Sequence, residues 1–366
     1  MNHIFSEKEQ QYMLQAIALA HQARYATKPN PNVGCVIVKD DEIVGQGFHP
    51  KAGQSHAEVF ALAQAGTQAT GATAYVTLEP CAHFGKTPPC ALALVNAGVA
   101  EVIIANLDPN PLVAGKGVEI LKQAGIKVRY GLCDEQAKQL NLGFLKAMAT
   151  GLPYVRLKIA SSLDGRTAMA SGESKWITGA QARQDVQHLR AISGAVITGI
   201  QTVLADDCQL NVRHLTDVED HQMSQIVQPK RVVLDRQGRL PLNAQILQQP
   251  KQTIVMTPFR EDLAALGVVQ LEPQSLTSLL QTLVKQYQVY DVLVEAGATL
   301  ATACLDHEVV DELIHYIAPT LLGQTARPMF TAELEQLSAQ KRFTICDVTQ
   351  LGQDIRLTMT PVIEVV

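Results

Sequence analysis

Four residues in the first quarter of the chain have the types that zinc-assisted hydrolysis needs. His56 and Glu58 stand two apart in "GQSHAEVFAL", and Cys81 and Cys90 stand in "LEPCAHFGKTPPCALALVNAG". Two thiolates and a neutral imidazole hold zinc tetrahedrally and leave the fourth position open, as a catalytic site requires. Zinc lowers the pKa of a bound water towards ~7. Glu58 is too close to His56 to be a convenient fourth ligand, but it can take that water's proton and return protons to a ring nitrogen and a departing amine. Singly, each residue has an ordinary reading: H-x-E triplets decorate helix surfaces, and a lone cysteine packs as a small hydrophobe. Together they favour the metal. His83, between the cysteines, is a rival ligand, although its loop position better suits a solvent- or substrate-facing side chain.

H-x-E followed by P-C-x-x-C is the layout of zinc nucleobase deaminases. Here the eight residues "AHFGKTPP" separate the cysteines, which argues against a routine cytidine or transfer-RNA adenosine deaminase. The string "HAE … EPCAHFGKTPPC … LDPNPLVAGKG" resembles the deaminase half of the bifunctional riboflavin-biosynthesis deaminase/reductases. That resemblance implies that His56, Cys81 and Cys90 bind zinc and that Glu58 shuttles protons. The implied substrate is a diaminopyrimidinone bearing a ribosylamino 5′-phosphate, which loses its ring amine to give a uracil. Asn30 in "KPNPNVG", Lys86 and Asp108 in "LDPNP" match positions near that family's substrate pocket. An ordinary turn beside proline explains Asn30 and Asp108 as well.

The second half lacks G-x-G-x-x-G and G-x-x-x-x-G-K-[ST], so a typical Rossmann or P-loop site is unsupported. In their place "DVLVEAGATLATACL" runs from an apolar strand through a small-residue turn into a helix. Gly297 and Ala298 would let the backbone approach a pyrophosphate, which a helix N-terminus favours. Such turns are common on their own. The flanking "LKIASSLDGRTAMASGESKWITG" and "RQDVQHLRAISGAVITGIQTVLADDCQLNVR" resemble the reductase half of the same enzymes, with a dihydrofolate-reductase-like fold. Resemblance thus spans about residues 10–360.

It implies NADPH-dependent reduction of the ribosyl group to a ribityl chain. Ala160, Trp176, Thr202, Asp206, Arg236 and the turn of Gly297, Ala298, Thr299, Leu300, Ala301, Thr302 and Ala303 match cofactor contacts. Ser174, Arg190, Leu210, Arg213 and Glu295 match substrate contacts. Arg190 and Arg213 suit phosphate, which guanidinium grips bidentately, yet an arginine taken alone is more often a surface residue. Trp176, the only tryptophan, could stack on a cofactor or pack in a core. Arg236 stands where the family often has serine. Lys158 and Asp164 are nearby titratable groups whose ordinary use is salt bridging. Hydride transfer belongs to the nicotinamide, while the protein supplies orientation and electrostatics.

These residues need a scaffold that brings them to one edge. Residues 1–130 alternate strand and helix: a hairpin of "VGCVIV" and "EIVGQGF", a helix from about Ser55, strand "AYVTLE", a helix from Pro88 to Gly98, strand "EVIIAN", helix "GKGVEILKQAG" and strand "IKVRYG". The spacing predicts βαβ units and a largely parallel sheet, with ligands at the carboxyl ends of its strands. Ser6 should cap a first helix whose apolar stripe is Tyr12, Met13, Ala16, Ile17 and Ala20. The pattern restarts near "NLGFLKAMATGLPYV". We therefore expect a cytidine-deaminase-like three-layer α/β domain over 1–148 and a dihydrofolate-reductase-like α/β domain over 149–366. The second should hold helices at 179–191 and 275–287, an exposed loop near 214–230 and a closing hairpin around Leu351 and Gly352.

Composition narrows the partners. A formal net charge of −5 disfavours nucleic acid or an anionic membrane, which call for a basic stripe, but permits a small phosphorylated substrate. The N-terminus lacks a secretion signal's basic start and apolar core, and no apolar run is long enough for a membrane span. Seven scattered cysteines do not suggest a disulfide framework. The expectation is a cytoplasmic enzyme with zinc and NADPH as cofactors. The edge strands of the second region suggest a homodimer or homotetramer.

Overall fold

The computed structural model describes residues 4–82, 89–110 and 113–362; His83 and Lys86 lie outside the described residues. The chain forms two compact units, Met1–Gly151 and Leu152–Val366.

In the first unit the elements are α1 (Glu7–His21), β1 (Gly34–Lys39), β2 (Glu42–Phe48), α2 (Ala57–Ala65), β3 (Thr73–Leu78), α3 (Cys90–Asn96), β4 (Glu101–Asn106), α4 (Lys116–Gln123), β5 (Lys127–Tyr130), α5 (Asp134–Lys138) and α6 (Leu142–Thr150). Ser6 caps α1 as expected, its Oγ accepting from Glu9 N while Glu9 Oε2 accepts from Ser6 N at 2.7 Å, a reciprocal capping box. The sheet order is β2-β1-β3-β4-β5. It is mixed rather than largely parallel: β1 runs antiparallel to both β2 and β3, while β3, β4 and β5 are parallel. The crossover through α2 joins two parallel strands, β2 and β3, but the hairpin has already placed β1 between them. Three layers result. Ala57 and Ala61 of α2, Leu94 of α3 and Leu121 of α4 pack on one face. Met13, Ala16 and Ile17 of α1 and Ala137 of α5 pack on the other. The short helices α5 and α6 were not expected.

The second unit holds β6 (Tyr154–Ser162), β7 (Arg166–Ala168), α7 (Ala180–Ile192), β8 (Ala195–Gly199), α8 (Ile200–Asp206), β9 (Lys230–Leu234), β10 (Thr253–Met256), α9 (Glu261–Ala265), β11 (Val269–Leu271), α10 (Leu276–Tyr287), β12 (Asp291–Glu295), α11 (Ala298–Asp306), β13 (Glu312–Ala318), β14 (Arg327–Pro328), β15 (Phe343–Leu351) and β16 (Asp354–Pro361). Its main sheet runs β11-β10-β9-β8-β12-β6-β13-β16-β15. The first seven strands are parallel, and the expected hairpin of β15 and β16 closes it antiparallel. Leu279 and Leu283 of α10 cover one face with Cys304 of α11, while Val186 of α7, Val203 of α8 and Leu263 of α9 cover the other. The segment near 214–230 is less exposed than its polarity suggested, because Leu215 and Ile226 are buried. The pair β7 and β14 left no periodic signal, being too short to show one.

Candidate active sites

In the first unit the four predicted residues converge. His56 is the extended N-cap of α2 and Glu58 lies in that helix's first turn. Cys81 follows β3, and Cys90 opens α3 behind Pro89, which sits at the cap rather than inside the helix. His56 Nδ1 is 3.3 Å from Cys90 Sγ and 3.6 Å from Cys81 Sγ, and all three donor atoms lie within 4.8 Å of one another. Tetrahedral zinc with Zn–N near 2.1 Å and Zn–S near 2.3 Å separates neighbouring donors by roughly 3.5–3.8 Å. The donor set fits the metal. Backbone geometry holds it: Cys90 N donates to Cys81 Sγ at 3.3 Å and Ala91 N to Cys81 O at 3.2 Å.

The electrostatics favour a thiolate at one of the two cysteines. The Cys90 thiol and the His56 ring pull Cys81 down to about 4, a thiolate at neutral pH. Cys90, beside that thiolate and buried, is pushed up. Glu58 is 3% exposed, and burial raises its carboxyl above the ordinary range, which suits a group that must both accept and release a proton.

Two supporting residues escaped the sequence reading. Glu79, buried at the end of β3, accepts backbone N–H bonds from Asp108 (3.3 Å), Gly115 (3.1 Å), Gly117 (3.0 Å) and Val118 (3.2 Å). Its carboxylate thus closes the loop before α4 onto the strand that leads to Cys81. A glutamate ending an otherwise apolar strand was the available signal. Gly117 is required there, since a Cβ would come within 2.1 Å of Pro80 O. Gly117→Ala should cost roughly 1–3 kcal/mol through overpacking, seen as a lower thermal midpoint for the first unit together with reduced zinc retention. The second missed residue is His49, buried at 2% exposure. It meets Asn30 Nδ2 at 3.0 Å and lies edge-on to the His56 ring, with centroids 5.3 Å apart. Burial lowers its pKa. Asp108 Oδ1 accepts from Asn110 N at 2.8 Å, the self-bonded turn that its sequence context allowed.

The second unit carries a cleft of about 1880 Å³ near the carboxyl ends of β6, β8, β9, β10 and β12. Ala160, Ser174, Trp176, Arg190, Thr202, Asp206, Leu210, Arg213, Arg236 and Glu295 line it, as do Gly297, Ala298, Thr299, Leu300 and Ala303. Ala301 and Thr302 do not. Helical rotation turns Ala301 into the core, and Thr302 Oγ1 accepts from Thr331 N at 2.8 Å. Trp176 is 70% exposed, with the Arg183 guanidinium 4.4 Å from its ring centroid, which excludes the core-packing reading. Ser174 Oγ donates to Asp206 Oδ1 at 3.1 Å. Arg236 Nη2 donates to Gln274 O at 2.9 Å.

At the cleft floor Arg190 grips Glu295 with two bonds, Nε–Oε1 at 2.5 Å and Nη2–Oε2 at 3.0 Å, both groups buried. Lys158 Nζ is 4.0 Å from Glu295. Burial lowers the pKa of Lys158; it also pushes Glu295 up, but Arg190 and Lys158 outweigh it and hold that carboxyl below its usual range. Arg190 therefore spends its fork inside the protein, whereas the guanidinium of the exposed Arg213 makes, among the described residues, one long contact, 3.4 Å to Gln209 Oε1. Among the described residues Asp164 is in no salt bridge; it accepts from Ser162 Oγ and from the backbone N–H groups of Leu322 and Gly323.

Among the described residues no helix is long and apolar enough to cross a membrane. The family described as the cytidine and deoxycytidylate deaminase zinc-binding region matches residues 6–106, and the RibD C-terminal domain matches 153–357. Riboflavin biosynthesis protein RibD of Escherichia coli is 50% identical over 96% of this chain and 98% of its own length. That of Haemophilus influenzae is 48% identical over 98% of each. Among solved structures, Acinetobacter baumannii RibD superposes with a TM-score of 0.95 at 67% identity, covering 98% of this chain and 99% of that one. The Thermotoga maritima diaminohydroxyphosphoribosylaminopyrimidine deaminase/5-amino-6-(5-phosphoribosylamino)uracil reductase superposes at 0.86 with 34% identity, covering 97% and 99%. The two units correspondingly have the cytidine-deaminase-like and dihydrofolate-reductase-like folds. With both halves matched in order over nearly the whole length, the chain belongs to the RibD family of riboflavin biosynthesis proteins, bifunctional deaminases and reductases that use zinc and NADPH.

Proposed function

We propose that His56, Cys81 and Cys90 hold zinc and that Glu58 moves the protons of deamination on the diaminohydroxyphosphoribosylaminopyrimidine named for the Thermotoga relative. The observation that carries this is the set of three donor atoms within 4.8 Å of one another beside a buried carboxylate. Zinc, when bound, supplies a water activated for attack near neutral pH. Glu58 accepts a proton from the nucleophile, then protonates a ring nitrogen and the leaving amine. Asn30, Lys86 and Asp108 would contact the substrate; Lys86 rests on resemblance alone.

In the second unit NADPH would lie along Ala160, Trp176, Thr202, Asp206, Arg236 and the Gly297–Ala303 turn, with Ala301 and Thr302 acting from behind through packing. A cleft of this size exceeds what one ordinary ligand fills and suits cofactor and substrate together. Ser174, Leu210, Arg213 and Glu295 would face the substrate, Arg213 holding its phosphate while Arg190 fixes Glu295. As hydride reaches the ribosyl C1′, the bond from C1′ to the ring oxygen breaks and that oxygen needs a proton. Lys158, poised by burial beside Glu295, is our donor. Lys158→Met should slow NADPH oxidation about 100-fold or more while KM for NADPH and ammonia release hold; an unchanged rate would assign the proton elsewhere.

The overall reading is tested on one preparation by zinc content, ammonia release and NADPH oxidation with that substrate. Failure of both reactions overturns it. Ammonia from dCMP or transfer RNA without NADPH consumption would instead favour a nucleotide deaminase fused to an unrelated module.

We place the enzyme in the cytoplasm, and as a homo-oligomer built on the free edge of β15. Ile345 and Val348 are 57% and 60% exposed on that edge strand, an arrangement that unpaired chains avoid. Ile345→Lys with Val348→Lys should convert a dimer or tetramer to smaller species by light scattering.

A further inference from the structure

We infer that His49 is a positioning residue that holds the Asn30 carboxamide with its oxygen towards the substrate, so that the deaminase site presents an acceptor to the N–H donors of an aminopyrimidine. This inference rests on the deaminase reading of the first unit.

Hydrogen-bond accounting fixes the orientation. His49 Nδ1 lies 3.1 Å from Ser55 O, a carbonyl that can only accept, so Nδ1 carries the ring proton. Nε2 is then a bare lone pair, and it lies 3.0 Å from Asn30 Nδ2, which can only donate. Turning the amide over would set Asn30 Oδ1 against the Nε2 lone pair, two acceptors 3.0 Å apart with no proton between them. The Ser55 carbonyl thus sets the ring, and the ring sets the amide.

The Asn30 backbone is equally fixed. Its N–H donates to Thr27 O at 2.9 Å. Two residues on, Asn32 N donates to Asn141 Oδ1 at 2.7 Å, and Asn141 Nδ2 returns a bond to Asn32 O at 2.9 Å. These bonds set where the side chain starts, and the contact with His49 sets which end of the amide it receives. With Nδ2 spent there, Oδ1 has no partner among the described residues. An acceptor at that point favours a substrate rich in amino groups. It disfavours any ligand that presents a carbonyl oxygen to the same place.

The test uses the full zinc-loaded chain and ammonia release from the diaminohydroxyphosphoribosylaminopyrimidine, with Asn30→Ala, His49→Phe, His49→Gln and the Asn30→Ala/His49→Phe double variant. Either Asn30→Ala or His49→Phe should lower kcat/KM about tenfold or more. Because His49 acts through Asn30, the double variant should match Asn30→Ala within about twofold. His49→Gln restores an acceptor near the Nε2 position and should retain most of the wild-type value. Multiplying losses in the double variant overturn the inference, as does a His49→Gln enzyme no better than His49→Phe. If His49→Phe sheds zinc, the comparison of His49→Gln with wild type decides. A wild-type enzyme that releases no ammonia would instead sink the deaminase reading itself.

Discussion

Glu58→Gln is expected to lower ammonia release by about 10³–10⁴-fold, while zinc content and NADPH oxidation on the deaminated uracil, supplied directly, stay at wild-type levels. The size follows from losing general acid–base catalysis on several proton transfers of one reaction. The substitution is nearly isosteric, and Glu58 is not a zinc ligand on our reading, so the metal should survive. Burial already favours the neutral form of this side chain, so the amide adds no unpaired charge. Zinc analysis with both assays on one sample separates the outcomes: retained deamination would make the first unit a metal-binding module, and lost zinc would make Glu58 a ligand.

Glu295→Ala should produce the largest stability change in the second unit. It strands the Arg190 guanidinium, which is 8% exposed, without its carboxylate. Breaking a buried pair from one side costs roughly 3–5 kcal/mol, and in a unit of this size about 2–4 °C per kcal/mol makes the loss of order 10 °C by calorimetry. Reduction should fail as well, since the cleft floor loses the group beside Lys158. The pH dependence has a definite sign. Glu295 is held below the ordinary carboxylate range, so its contribution is fully present above the unfolded value near pH 4.3. It is lost as pH falls through the folded value. Wild type and Glu295→Ala should therefore converge in stability on acidification below about pH 4. A constant gap would mean the carboxylate stabilises through packing rather than charge.

The convergence of His56, Cys81 and Cys90 was legible because metal chemistry restricts residue type and spacing at once. These three, with Glu58 beside them, could be grouped before any fold was known. Their supports were not: Glu79 binds backbone N–H groups from Gly115 to Val118, and His49 meets the Asn30 side chain nineteen residues away, and such bonds leave no periodic trace. In the second unit the strand–turn–helix at Gly297 was readable from its apolar run and small residues. That Ala301 and Thr302 turn away from the cleft follows from helical rotation, which a motif written as a string does not display. The pairing of Arg190 with Glu295 joins residues on α7 and β12, and only the sheet order brings them together.

The bonds around Cys81 also bear on how such a site can be modified. Its carbonyl and its sulfur are both fastened to the start of α3, so the chain between residues 82 and 89 is clamped at its two ends. Lengthening a loop already closed this way adds only about 0.6 kcal/mol per doubling. The number of residues between the two cysteines can therefore change at little cost to the sulfur pair that brackets them. Length there is a free variable, whereas the anchoring at Cys81 and the start of α3 is not.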